Sequence, residues 1–384
     1  MLALLLAGFL LLLGSALLTI ATSERQIGLN DRGATQALYL AEAAVERARR
    51  LLPGLPVNDV LSNNLLLGEW VTGTSIAFGT HRAVVTNNVI SIGGVQQDRG
   101  TAVCGTTTCD TDGFVVITGT GSYQGAFRVI RAVVEVPPIL NPPGLLTILN
   151  ADVDPLFEGE SFLVSGFDRN VDGSTGPAAA RPAFALVTSE ATSAIQAILT
   201  PGQQTRVLGA GATPSIETVS NAPSSDSLQR LKLRLARQAD RVFINPGTIS
   251  QNLLGDDAAG QVTVIKGDPS ADLNQGLDTA ADATLEGTGH GSGVLVVTGQ
   301  LALRGSYRFD GIVILVGDGS RLTLEGNAAI FGSVLIANRT ARNSGRAGFT
   351  MKEGAQLHFS QEALRGAGRL LSATLRVWQE MIDD

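Results

Sequence analysis

From Met1 to Ala21 the chain carries no charged residue. At 1.5 Å of helical rise per residue, about twenty such residues cover about 30 Å, the hydrocarbon thickness of a bilayer. A segment this apolar needs lipid, or an equivalent surface on neighbouring chains. The plainer alternative is a secretory signal peptide. That would need a basic start, whereas this run opens directly as Met-Leu-Ala-Leu. The segment is therefore expected to belong to the working protein.

After Thr22-Ser23-Glu24-Arg25, small or apolar residues recur at Ala34, Ala37, Leu38, Ala41, Ala44, Val45, Ala48, Leu51 and Leu52, the three-and-four spacing of one helical face. Asp31, Arg32, Glu42, Glu46, Arg47, Arg49 and Arg50 take the other side, and Pro53, Gly54 and Pro56 stop the run. One helix of about fifty residues and about 75 Å is predicted. Its second half is striped for a globular head. Its first half has no cover in this chain, so Leu2, Leu5, Phe9, Leu12, Leu13 and Leu17 are the candidate packing residues against neighbouring subunits. Gly8 and Gly14 would admit close helix approach.

The phrases Ser23-Glu24-Arg25-Gln26-Ile27-Gly28-Leu29-Asn30-Asp31-Arg32 and Ala37-Leu38-Tyr39-Leu40-Ala41-Glu42-Ala43-Ala44-Val45, behind an apolar start, resemble the N-terminal region of type IV pilin-like proteins of the PilX type. The resemblance covers residues 1 to 52. It implies an inner-membrane precursor, trimmed by a prepilin peptidase, passed to the pilus assembly machinery and packed by its helix among copies of itself or other pilins in an extracellular filament. Leu5 stands where the family usually has a glutamate near the fifth mature residue, a departure shared with minor pilins and the K-type pseudopilins. Ile117 to Val136 also resembles the closing strands of pilin-like heads.

Short β-rich runs at 70–71, 75–78, 83–85, 89–92, 114–117 and 126–136, separated by Gly, Asn and Thr, predict an antiparallel sheet packed on the striped half-helix. With Gly 45, charged residues at 16% and aromatics at 5%, the composition suits tight corners and buried aliphatics. Cys104 and Cys109 are spaced for a local disulfide in an oxidising compartment. A zinc site, the alternative, would need a second pair that the chain does not have. Pro137-Pro138 and Pro142-Pro143 mark a stiff linker.

The fold class read from these patterns is α+β: a long N-terminal helix with an antiparallel pilin-like head, then a β-rich domain containing a short parallel β-helix and a C-terminal amphipathic helix. The expected divisions are 1–53 helix, with 1–21 in membrane or filament core; 54–136 head; 137–144 linker; 145–292 mixed second domain with a helix at 226–240; 293–340 solenoid coils; and 341–384 helical cap. The coils rest on a repeat. Gly293-Val-Leu-Val-Val, Gly311-Ile-Val-Ile-Leu-Val and Gly332-Ser-Val-Leu-Ile-Ala start 18 and 21 residues apart, and Leu301-Ala-Leu-Arg-Gly matches Leu322-Thr-Leu-Glu-Gly at 21. A period near twenty suits stacked coils of three short strands with glycine corners. The stretch 255–292 reads as a solvated loop. A helix over 360–381, with Leu364, Leu370, Leu371, Leu375 and Trp378 on its apolar face, would cover an open end of the stack.

Asp168, Asn170 and Asp172, with Gly173 following, fit the first half of a calcium loop, but the twelfth position is Ala179 instead of a bidentate glutamate. The alternative is an Asx-rich hairpin turn. Beyond this possible calcium, no cofactor is expected. The net charge of -7 offers no field for nucleic acid. His81, His290 and His358 are widely spaced in sequence, and no Gly-x-Ser-x-Gly, phosphate loop or His-Glu-x-x-His occurs. A structural subunit, not an enzyme, is therefore expected. The rival reading is a membrane-anchored polysaccharide-binding or polysaccharide-cleaving β-helix protein, and adhesion through the outer domain fits either.

Overall fold

A computed structural model describes residues 2–52, 57–62, 79–88, 90–92, 95–97, 113–136, 142–220, 222–223, 225–250, 254–255, 260–267, 280–317, 319–338, 347–371 and 373–381. Cys104, Cys109 and the expected strands at 70–71 and 75–78 lie outside them. The chain is α+β and divides into two compact units, residues 1–137 with 372–384, and residues 138–371. The division falls between Pro137 and Pro138, inside the segment read from the sequence as a linker.

In the first unit a 50-residue helix runs Leu2–Leu51. Ala37, Leu40, Ala41, Ala44, Val45, Ala48 and Leu52 are buried, while Ala34, Leu38 and Leu51 of the expected stripe are half-buried at its margins and Leu40 joins it. They face an antiparallel sheet whose strand order is Gly79–Asn87, Phe114–Tyr123, Ala126–Glu135, Thr374–Met381. Alternation is visible on the outer strand, where Ala83 and Val85 point inward while Arg82 and Thr86 are exposed. Close approach depends on Gly119 and Gly121 of the 114–123 strand. A Cβ on Gly121 would lie 2.0 Å from the Ala37 carbonyl oxygen, and one on Gly119 2.6 Å from that of Ala41. Alanines on the helix and glycines on the strand thus bring the two backbones together, and Val45, Ile117, Ile130 and Val134 fill the core around them.

The fourth strand corrects an expectation. The helix predicted over 360–381 is confined to Gln361–Leu370, and Thr374–Met381 is a strand antiparallel to 126–135. Leu375 and Trp378, read as apolar helix-face residues, lie on that strand at 45% and 44% exposure. The reason is the unpaired edge of the 126–135 strand, whose backbone groups are satisfied by Thr374 to Met381, a segment rich in β-favouring Thr, Val and Trp. Arg49 also donates to the Ala373 carbonyl oxygen at 2.7 Å, tying the returning chain to the helix.

The second unit is dominated by parallel pairing. From Gln261 onward, strands alternate between two sheets. One stacks Gln261–Lys266, His290–Val297, Arg308–Gly317, Ala329–Asn338 and Gln356–Phe359; the other stacks Ala281–Gly287, Gly299–Gly305, Arg321–Leu324 and Ala347–Met351. Each circuit adds one strand to each sheet. Gly293, Gly311 and Gly332 are paired in register, as are Leu301 and Leu322. The three expected strands per circuit are two, the longer one interrupted by a glycine with φ of +112°, +146° or +140° in successive circuits. A Cβ on Gly311 would sit 1.9 Å from the Gly293 carbonyl oxygen, so no other residue fits the position.

The expected boundaries at 292 and 340 are not boundaries, because parallel pairing runs through them and takes in Leu146–Ile148, Val153–Phe157, Leu163–Ser165 and Arg241–Ile244 as well. Nor is 255–292 a loop throughout, since it holds the 261–266, 281–287 and 290–297 strands. Both follow from parallel sheets, which recruit strands distant in sequence. The helix Ser225–Arg237 buries Leu228, Leu231 and Leu235 in the shared core. The helix Gln361–Leu370 is capped by the Ser360 hydroxyl, which accepts from Ala363 N at 3.2 Å. It lies across the 290–297, 308–317 and 329–338 strands and so covers a sheet face, not the open end expected of it. The side chain of Leu370 reaches over Gly293, where a Cβ would meet its Cδ1 at 2.8 Å.

Candidate functional surface

The N-terminal helix is long and apolar enough to cross a membrane, and its most apolar window has mean hydropathy 2.0 with none of it buried within the chain. Phe9, Leu12, Leu13 and Leu17 are 62%, 71%, 45% and 60% exposed. Leu2 and Leu5 fall on the same helix, and their side chains lie outside the described residues. The few polar groups of this surface are turned inward on their own helix. Ser15 donates to the Leu12 carbonyl oxygen at 2.9 Å, Thr19 to that of Ser15 at 2.8 Å and Thr22 to that of Leu18 at 2.9 Å. An apolar phase therefore meets no bare hydroxyl donor there, as it requires. A Cβ on Gly8 or Gly14 would have nothing within 4 Å, so among the described residues nothing demands glycine at either position. Glu24, Arg25, Asp31 and Arg32 make an exposed polar band before the head contact starts at Gly33.

The region proposed for calcium is a tight turn. Asp168 is buried, and its carboxylate accepts from Ala178 N at 2.8 Å and Gln361 N at 2.9 Å. Asp172 accepts from Ser174 N at 2.8 Å, and the Ser174 side chain first, then this backbone bond, hold its carboxyl below the ordinary value; Asn170 Nδ2 donates to the Ser174 hydroxyl at 2.9 Å. This is the hydrogen bonding of the Asx-turn alternative. Among the described residues no group of three or more His, Cys, Asp or Glu side chains could hold a metal ion.

A second cluster was not legible in the sequence. Asp310 is buried between Arg308, whose Nε donates at 2.7 Å, and His290, whose Nε2 lies 3.1 Å away. The Arg308 guanidinium also donates to the Val171 carbonyl oxygen and stacks 4.1 Å above the Phe331 ring, which in turn lies 4.8 Å from the ring of His358. Burial first, then the charges of Arg169 and Arg308, hold His358 down to about 4. The signal lay in the 18- and 21-residue repeat: once Gly293, Gly311 and Gly332 are aligned, Ser292, Asp310, Phe331 and His358 form one column. Both carboxylate oxygens of Asp310 are occupied, so the cluster ties the 168–176 turn to the sheet. His81 stands apart, buried in the head.

No family model matches this chain, and no curated protein matches it. Among solved structures, the competence-associated pilin ComZ from Thermus thermophilus is similar at 12% identity, over 92% of this chain and 98% of that one, with a TM-score of 0.26, too low to establish a common fold.

Proposed function

We propose that this chain is a structural subunit of an extracellular type IV pilus-like filament, held in the inner membrane as a precursor and assembled through its N-terminal helix among copies of itself or other pilins. One observation carries the reading. A single helix is fixed to its own head by a stripe of small residues, while its other half presents leucine and phenylalanine to nothing among the described residues. Each leucine buried on assembly would contribute roughly 2 kcal/mol as an upper bound. The phrases at 23–32 and 37–45 support the PilX-type assignment, with a prepilin peptidase and assembly machinery as further partners. Leu5 favours a minor subunit. In this reading the coiled unit is a β-solenoid displayed at the surface for adhesion, and it has no catalytic step. The rival, a membrane-anchored enzyme cleaving polysaccharide, predicts sugar release that depends on His290 and Asp310.

Leu12→Arg tests the proposal. Electron microscopy should show that the substitution abolishes incorporation into filaments while the detergent-solubilised chain keeps the wild-type melting profile. Filaments containing normal amounts of the variant would refute helix-core assembly.

A further inference from the structure

A shallow cavity of about 300 Å³ opens on the head, lined by Thr80, His81, Arg82, Thr120, Ser122 and Phe127 among others. Pairing puts Thr80 opposite Ser122 and Arg82 opposite Thr120 across the two outer strands, and Ser122 opposite Phe127 on the next. Alternation therefore sets these five residues on the sheet face turned away from the helix. Phe127 leaves 53% of its surface in water. Thr120 gives its hydroxyl to the Arg82 carbonyl oxygen at 3.3 Å. Among the described residues, the hydroxyls of Thr80 and Ser122 and the guanidinium of Arg82 have no partner. No carboxylate among the described residues lines the cavity. On the same face Arg131 is exposed and likewise has no ion pair among the described residues, while Glu135 at the far end is bonded by Arg376.

We infer that this face of the head binds a carboxylated polysaccharide, a chain of uronic-acid type. Arg82 supplies a planar fork matched to a carboxylate. The free hydroxyls bond sugar hydroxyls, and the exposed Phe127 ring gives the apolar face of a sugar a surface to lie on. Arg131 lies two strands and two residues from Arg82, roughly 12 Å away, so one extended chain can meet both cations. Two arginines this far apart can each meet one carboxylate of a single extended chain that carries one charge per sugar, several times less dense than the phosphates of a duplex. A duplex nucleic acid is densely charged and would meet a chain of net charge -7.

The test is binding of the full chain in detergent to polygalacturonate, with dextran and double-stranded DNA as comparison probes. We expect retention by polygalacturonate and none by dextran. Arg82→Gln should weaken retention about tenfold or more, as loss of a charge-assisted pair implies. Phe127→Ala should weaken it less, and Arg206→Gln, an exposed cation in the other unit, should leave it unchanged. Because Arg82 is exposed, its replacement leaves the melting curve in place and separates a binding defect from misfolding. The inference fails if wild-type chain ignores polygalacturonate, if Arg82→Gln binds normally, if Arg206→Gln is equally impaired, or if DNA alone is bound. Filament assembly is read separately through Leu12→Arg, so either reading can fail alone.

Discussion

Between the N-terminal helix and its sheet, the atoms that limit approach belong to Gly119 and Gly121. A methyl on Gly121 would enter the space of the Ala37 carbonyl oxygen at 2.0 Å and the Ala41 nitrogen at 2.5 Å, both backbone and unable to move aside. Gly121→Ala should cost about 1–3 kcal/mol by forcing helix and strand apart. Gly28→Ala, with nothing within 4 Å, should be neutral or stabilising by up to about 1 kcal/mol. Melting curves of the two detergent-solubilised variants check the contrast, and equal effects would contradict it. His358 makes a second prediction. The unfolded chain takes up its proton near the ordinary 6.5, the folded chain only near about 4. Between these values the unfolded state binds more protons, so this contribution is complete above about pH 6.5 and declines as pH falls through about 4. The full effect is about 3 kcal/mol. His358→Gln should flatten that stretch of the stability profile of the second unit. His81, lowered in the same direction by burial and then by Arg47, acts in the head and should leave the comparison intact.

At the scale of elements, the parallel circuits are held in register by backbone and core far more than by surface charge. Along one column, Glu286 stands opposite Arg304 in strand register, Arg304 lies 3.4 Å from Glu325, and Lys352 lies 3.7 Å from both Glu325 and Glu158. These partners are substantially exposed, so Glu325→Gln should change stability by less than about 1 kcal/mol. Gly311→Ala combines a φ of +146° with a 1.9 Å clash against the Gly293 oxygen. It should cost at least about 3 kcal/mol, and circular dichroism against denaturant would show a chain without its cooperative second transition. The repeat was legible because stacked circuits place like residues in one column, which turns register into sequence spacing. The final strand was not. Leu364, Leu371, Leu375 and Trp378 keep a helical spacing, and the competing influence, the unpaired edge at 126–135, lies far away in sequence. The Asp310 cluster was hidden for a related reason, since strand columns bring together residues that no local motif connects.

For the molecule as a whole, each unit has its own apolar core. The first is closed by the 374–381 strand, so its stability depends on segments far apart in sequence. Ending the chain at Ala373 should lower the melting temperature of the first unit and leave that of the second unchanged; calorimetry reads the two transitions directly. A fall in both would show that the strand supports more than its own sheet.

The sequence by itself determined the apolar half-helix, its striped continuation and the 18- and 21-residue repeat. Each is set by side-chain character at a fixed local period, 3.6 residues for a helix or one circuit for a stack. Tertiary structure alone decided that 374–381 is a strand in the head, that parallel pairing reaches from Leu146 to Phe359, and that Arg82 and Phe127 share an open face. These depend on which edges and faces lie within hydrogen-bonding reach after folding, and a local period does not encode that.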